Sequence, residues 1–600
     1  MTSKPAPPVE LKHGLWFVLG IWLVVSVIKT WFALPSLNER LFPDPDDAMR
    51  LLQVRDLLAG QSWWDVTQYR LNPPAGGPMH WSRIVDLPIA AVELIVRPFA
   101  GQDGAETAAL IIVPSVTLLA AMLLVHRIAL KLMDGPAALL AVLATPASLG
   151  AMKQMRMLRI DHHGWQIVMA LLAILAVLDP RPRRSGVVAG LAVAVWLCIS
   201  IEGLPFGAAV GAWYAFEWLR NPATGERLKS YLVTLAGGSI ALFAGTHAVS
   251  TWATFPHDAI NAAHLAALAV AAGTCSLSVR PTIRDLRLRL AVMAGVGAAT
   301  IATLFGVDPH VMQAPFAALD PLVRDLWYNA VDEGQPIWKL AVSDATAAMA
   351  QPLVGLAGAL LALWKAPADK RAGWLSFTWL LLAASVASVC VVREATTASV
   401  LAMPGTAFLA DFALRRARAV SRMPVRAVAT AASVCIMTPA YALPASLTPP
   451  DPKFVKAIAS SDNCISRSQV EHLNVLAPSK LAVPLDITPA IIAMTPHKAI
   501  ASGYHRNISG IRDSIILFIG KPEQQREVIR RRGIDYVLFC PRTPETLWWA
   551  SHNEQGLSAL LNANRPPDYL DPVTIPGLRA LKVWRVRKDM LAASGVRTAG

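Results

Sequence analysis

The sequence predicts a polytopic α-helical membrane protein that ends in a small soluble α/β domain. Three observations predict it: a charge-poor composition, a series of apolar runs of membrane-spanning length, and basic residues confined to alternate gaps between those runs. Of 600 residues, 54% are hydrophobic and 16% charged, against about 25% charged in an ordinary soluble protein. The mean hydropathy is +0.43. A net charge of +14 would suggest nucleic-acid binding in a soluble chain. Here the basic residues sit in short clusters between apolar runs, so they read as topology. No nucleic-acid-binding motif, repeat or low-complexity tract is present, and no nucleic-acid partner is expected.

Apolar segments fall at 15–34, 108–125, 136–152, 164–178, 186–201, 204–219, 230–249, 259–277, 290–306, 346–364, 373–392, 398–414 and 427–445, about thirteen spans. The first follows a polar stretch, Met1 to Lys12, is too long for a signal-peptide core and lacks a small-residue cleavage site, so it is read as an uncleaved anchor. With Met1 in the cytoplasm, every inner gap is basic: Arg127 and Lys131; Arg181, Arg183 and Arg184; Arg220, Arg227 and Lys229; Arg280, Arg284, Arg287 and Arg289; Lys365, Lys370 and Arg371; Arg415, Arg416, Arg418, Arg422 and Arg426. An error of one span would break this register halfway along, so the pattern supports an odd count and an outer carboxy terminus. The expected location is a bacterial inner membrane, with residues 1–445 as the membrane domain and 446–600 as a periplasmic domain. Strand-like runs such as Lys480 to Pro484 and Asp535 to Cys540 alternate there with helical stretches such as Glu523 to Arg532. Cys198, Cys275, Cys390 and Cys435 lie in apolar runs. Cys464 and Cys540 lie in the polar region and are able to pair in an oxidising compartment, although sequence alone does not give their distance.

Three outer loops then carry the unusual residues: a long first loop (36–104), a short one around 156–163 and a third over 306–345. The first opens with Asp44-Pro45-Asp46-Asp47. Neighbouring carboxylates repel, so a metal or a basic side chain is expected to compensate them; the plainer reading is an acidic helix cap. The second reads Arg159-Ile160-Asp161-His162-His163-Gly164-Trp165. Asp161 and His163, two apart, point the same way on an extended loop, and carboxylate plus imidazole is a common ligand pair. The third contains Asn329-Ala330-Val331-Asp332-Glu333-Gly334-Gln335-Pro336, an acid pair beside turn residues. Three acidic elements on one membrane face point to one shared site. Met79-His80-Trp81-Ser82-Arg83 with Asp86, and Gly503-Tyr504-His505-Arg506-Asn507, offer aromatic faces and hydrogen-bonding groups suited to a sugar. From these strings His80, Trp81, Arg83, Tyr504 and His505 are candidate substrate contacts, with ordinary loop packing as the competing reading.

The order of an Asp after the first span, Asp-His-His in the second outer loop and Val-x-Glu-x-Gln-Pro in the long later loop resembles the oligosaccharyltransferase catalytic subunit, especially its archaeal form. That family has the C-type glycosyltransferase (GT-C) fold. The resemblance implies a membrane glycosyltransferase that takes a sugar or oligosaccharide from a polyprenyl-phosphate or polyprenyl-pyrophosphate lipid. It implies Asp47 as the first-loop catalytic and metal-binding Asp, Asp161 and His163 as second-loop metal ligands, and Glu333 as the later-loop Glu near catalysis and metal. Arg393 resembles the Arg that binds the lipid-linked phosphate. Oxygen-rich ligands with one imidazole favour Mg²⁺ or Mn²⁺. The sequence departs from the family in its carboxy-terminal domain, where the nearest string to Trp-Trp-Asp-Tyr-Gly is Trp548-Trp549-Ala550-Ser551. The acceptor is thus left open among glycan, lipid and protein. The competing functions are a transporter or flippase of envelope glycolipids, disfavoured by spans almost free of central acids, and a non-catalytic assembly protein.

Overall fold

The computed structural model describes residues 11–311, 319–437 and 452–591. The amino-terminal residues 1–10, part of the third outer loop (312–318) and the end of the last expected span (438–445) lie outside the described residues. The membrane domain runs through α1 (Leu11–Asn38), α2 (Pro45–Leu58), α3 (Asp86–Leu132), α4 (Gly135–Ala144), α5 (Leu149–Gln154) and α6 (His163–Val177). It continues through α7 (Pro182–Ile199), α8 (Gly203–Arg220), α9 (Gly225–Thr246), α10 (Ala262–Ser278), α11 (Leu286–Val307) and α12 (Pro321–Leu326). After these come α13 (Val342–Lys365), α14 (Ala368–Cys390), α15 (Glu394–Leu401), α16 (Met403–Arg418) and α17 (Met423–Cys435).

Among the described residues, each expected apolar segment falls mostly on helix, because a buried chain in lipid has to satisfy its own backbone groups. By length and apolarity, seven described helices suffice to cross a membrane, or eight if the bent pair α15 and α16 counts as one span. The expected thirteen includes shorter helices such as α6, whose 15 residues rise only about 22 Å against roughly 30 Å of hydrocarbon. Two expected boundaries also change. The segment 136–152 divides into α4, a tight turn at Thr145–Ala147 and α5. The first outer loop contains α2, and α3 begins as far back as Asp86, breaking at Gly101, whose φ of +68° suits glycine alone. The arm of α3 before Gly101 exposes Leu94, Ile95 and Phe99.

Small residues let the spans close up. A side chain at Gly405 would strike the backbone of Gly355, and one at Gly358 the backbone of Gly405, so α13 and α16 touch main chain to main chain. At one end of the bundle the basic loops tie together: Lys370 Nζ donates to Lys131 O (3.1 Å), Lys131 Nζ to Leu178 O (3.2 Å), and Arg227 Nη2 to Asp179 O (3.0 Å). The acidic loops gather at the other end.

The carboxy-terminal domain carries a five-stranded sheet: β1 (Lys480–Ala482), β2 (Lys498–Ala499), β3 (Tyr536–Phe539), β4 (Leu570–Pro572) and β5 (Lys582–Val586), in the order β2-β1-β3-β5-β4. The strands β1, β2 and β3 are parallel, while β5 runs antiparallel to β3 and β4. Helices cover the sheet, and Phe518, Phe539 and Trp549 form part of its core. Cys464 and Cys540 form a disulfide. The domain docks on the first outer loop: Ala499 N donates to Arg70 O (2.8 Å) and Asn72 N to Ala499 O (2.9 Å), so Leu71 extends the sheet beyond β2. Arg467 N donates to Glu39 O (2.7 Å), and Arg467 Nη1 pairs with Asp103 (2.7 Å).

Candidate active site

Three consecutive-looking acids at the start of α2 have three different jobs. Asp44 is the N-cap, accepting the amide of Asp46 at 3.0 Å, as the plain reading of the motif held. Asp47 turns away from the open space and clamps the second loop. Its carboxylate accepts from Arg159 Nη1 (3.0 Å) and from the amides of Ile160 (2.9 Å) and Asp161 (3.0 Å). Asp46, like Asp44, lines a cavity of about 610 Å³. Burial, then Asp44, Asp161 and Glu333, push its carboxyl well above the usual range, with Arg159 opposing. Asp47, the acid that the family resemblance singles out, does not line the cavity, whereas its neighbour Asp46 does.

The compensating cation within the acidic cluster is Arg159, within 3.1 Å of Asp44 and 3.5 Å of Asp161 as well as bonded to Asp47. Arg50 adds a second, 3.5 Å from Asp161 and 3.0 Å from Asp86. Burial pushes the His162 imidazole down, to about 4. The neutral ring meets Asp161 through Nδ1. His163 Nδ1 meets Gln166 Oε1 at 2.7 Å; donating there, the ring presents Nε2 as an acceptor toward Asp161 Oδ2, 3.6 Å away.

The donor set fits a divalent ion. Asp161 Oδ2 is buried without a hydrogen-bond partner, and the donor atoms of Asp161, His162 and His163 lie within 4.8 Å of one another. Asp46 opens onto the same space, with three further carboxylates raising its pKa. An ion here would relieve that repulsion. Glu333 stands on the cavity wall but outside this cluster, its carboxylate 3.7 Å from Arg393.

Arg393 also pairs with Glu202. Burial opposes its charge, and Glu202, Glu333 and Glu394 outweigh it, so the guanidinium is held a cation. Two backbone bonds tie this element to the third outer loop: Arg393 N to Glu333 O (3.1 Å) and Val392 N to Gln335 O (3.1 Å).

Of the other expected contacts, His80, Trp81, Tyr504 and His505 line the cavity. Trp81 carries Arg50 on its face at 4.4 Å and meets the edge of Tyr504 at 5.3 Å. Arg83 does not line it. It is 1% exposed and is consumed by Asp86 (3.1 Å), Gln53 O (3.1 Å), Gln61 (3.1 Å) and Asp65 O (2.6 Å). Arg83 thus braces the first outer loop. Sequence reasoning passed over Trp327 and Asp258, and did not single out Asp46, Glu202 or, within its string, Arg506, all of which line the cavity. For Asp258 a signal existed: its connection between α9 and α10 lies on the outer side in the positive-inside register.

No family model and no curated protein sequence matches the chain. Solved structures do. The archaeal oligosaccharyltransferase AglB from Archaeoglobus fulgidus, in complex with an inhibitory peptide and a dolichol-phosphate, superposes with a TM-score of 0.63 at 14% identity, covering 93% of this chain and 72% of that one. Its apo form gives 0.63 at 15% identity over 93% and 73%. Its complex with zinc and sulfate gives 0.57 at 14% over 92% and 71%. Identity this low speaks to architecture alone. The chain has the fold of the archaeal oligosaccharyltransferase, the C-type glycosyltransferase architecture that its motif order implied.

Proposed function

We propose that the chain is a membrane glycosyltransferase that moves a sugar or oligosaccharide from a polyprenyl-phosphate or polyprenyl-pyrophosphate lipid to an acceptor hydroxyl on the outer side of a bacterial inner membrane. The observation that carries this reading is that a carboxylate, Asp46, and a cation held by ion pairs, Arg393, stand on the wall of one cavity. In the transfer, the acceptor oxygen bonds to the anomeric carbon as the bond from that carbon to the phosphate oxygen breaks. Asp46 takes the acceptor proton as general base. Arg393 meets the negative charge that develops on the departing phosphate. A Mg²⁺ or Mn²⁺ ion held by Asp161, His163 and Asp46 would supply Lewis-acid stabilisation of the same charge. Trp81 and Tyr504 offer apolar faces to the sugar, while Asp47, Arg159 and Arg50 hold the loop that presents Asp161.

The outward placement is supported by the basic ties at the opposite end of the bundle and by the Cys464–Cys540 disulfide, which suits an oxidising compartment. An acceptor other than a protein sequon is supported by Trp548 and Trp549. Trp549 is buried against Phe518, and neither lines the cavity. The transporter reading lacks support from the site, which lies at one end of the bundle and not at mid-membrane.

The test is transfer from radiolabelled polyprenyl-phosphate and polyprenyl-pyrophosphate sugars in membranes, comparing wild type with Asp46→Asn, Asp161→Asn and Arg393→Ala. Loss of transfer in variants that accumulate normally supports the enzyme. Full complementation of a deletion strain by all three ends it.

A further inference from the structure

We propose that His80, Asp258 and His505 form a zinc site, separate from the Asp46, Asp161 and His163 cluster, that clasps the carboxy-terminal domain to the membrane domain at the cavity rim. It does not rest on the transferase reading. The three residues come from three distant stretches: the first outer loop, the connection between α9 and α10, and the carboxy-terminal domain. Their donor atoms nonetheless lie within 4.8 Å of one another. The rings of His80 and His505 are 4.7 Å apart between centroids, and His505 Nε2 lies 2.6 Å from Asp258 Oδ2.

The surroundings have the features of a metal site. Among the described residues, no hydrogen bond engages either ring nitrogen of His80. Asp258 is oriented by Arg506, whose Nε and Nη2 reach its two oxygens at 2.8 and 2.9 Å. The same guanidinium donates through Nη1 to Met79 O at 3.3 Å, the residue before His80. A ligating carboxylate fixed by an outer hydrogen-bond donor is the usual arrangement around metals. A docking role alone would be met by the Arg506–Asp258 pair, without gathering two imidazoles on the same carboxylate.

Ligand chemistry selects the ion. Two imidazoles and one carboxylate are the donor types of a tetrahedral zinc site with a fourth position open, and they suit Mg²⁺ or Mn²⁺ poorly. All three residues line the cavity, so the open position faces it. The ion would join three chain segments that meet at this rim through the Asp258 ion pairs, the Arg506 bond to Met79 O and the Trp81–Tyr504 ring contact.

The full chain, purified in detergent without chelator and then equilibrated with Zn²⁺, is assayed for bound zinc by elemental analysis and for cobalt(II) substitution by its visible spectrum. Wild type is expected to retain zinc and to give a tetrahedral cobalt spectrum. His80→Ala, Asp258→Asn and His505→Ala are expected to weaken binding by at least about 10- to 100-fold, the worth of even an outer-shell partner. Asp161→Asn is expected to leave this equivalent in place. His505→Gln, the milder variant, guards against misfolding, and chelator is expected to lower the melting temperature of wild type but not of His505→Gln. Zinc absent from folded wild type, or retained equally by His80→Ala and His505→Ala, overturns the proposal and leaves an ion-pair clasp.

Discussion

The carboxylate of Asp47 and the guanidinium of Arg159 meet at 3.0 Å with almost no exposure of either side chain. The pair joins the start of α2 to the second outer loop, and the amides of Ile160 and Asp161 donate to the same carboxylate. Asp47 is therefore a brace, while the adjacent Asp46 faces the cavity.

Substitution of the two should separate these roles. Asp46→Asn is expected to cut transfer by at least about 10²-fold with unfolding unchanged. Asp47→Ala removes the nearest carboxylate from the buried Arg159, leaving it Asp44, Asp161 and the Gln154 side chain, and is expected to cost about 3 kcal/mol of stability. Initial rates and thermal unfolding of the purified variants distinguish them. A normal melting temperature for Asp47→Ala would refute the brace.

Arg393→Ala should lower kcat/KM by about 10²- to 10³-fold, the worth of one donor aimed at developing negative charge. Arg393→Lys keeps the charge but loses the planar fork that spans Glu202 and Glu333, so it should recover only part of the rate. Steady-state kinetics with a defined lipid-linked donor measure both.

Glu202 predicts an acid-sensitive window. Burial works against its charge, but Arg393, with His163, His162 and the Gln166 amide, outweighs burial and holds the carboxyl at about 2, below its ordinary 4.5. Because the folded value is the lower one, the stabilisation is complete above pH 4.5 and is lost as pH falls toward 2. Melting temperatures across that range should fall more steeply for wild type than for Glu202→Gln. The variant should also be less stable at neutral pH, where Arg393 has lost its nearer partner.

The Cys464–Cys540 bridge closes a loop of 76 residues. Removing it is expected to destabilise the carboxy-terminal domain by about 4 kcal/mol on the chain-entropy model. Thiol labelling of the denatured, unreduced protein should find only Cys198, Cys275, Cys390 and Cys435 free. Labelling of all six in protein taken directly from membranes would place the domain in a reducing compartment.

Much of this architecture is readable in the chain because lipid leaves the backbone few options. Each apolar run has to be helix, and the arginines between runs record which ends lie together. The acidic elements were equally plain, and their convergence follows from the side they share. What the letters do not carry is rotation. Adjacent residues on α2 differ by about 100° around its axis, so only the packing of that helix decides that Asp46 faces the cavity and Asp47 the second loop. Arg83 looked suited to a sugar because nothing in its string reveals the four partners that occupy it. Asp258 belongs to no motif, and the residue it meets, His505, lies 247 positions away.

The third loop hangs from the segment that carries Arg393 by two peptide hydrogen bonds beside the Glu333–Arg393 side-chain pair. A shift of the backbone at Glu333 is passed through those bonds to the backbone at Arg393, so the parts of the cavity wall that the two residues form are geared together. Exchanging the side chains at 333 and 393 changes what the gear presents, but leaves its teeth intact.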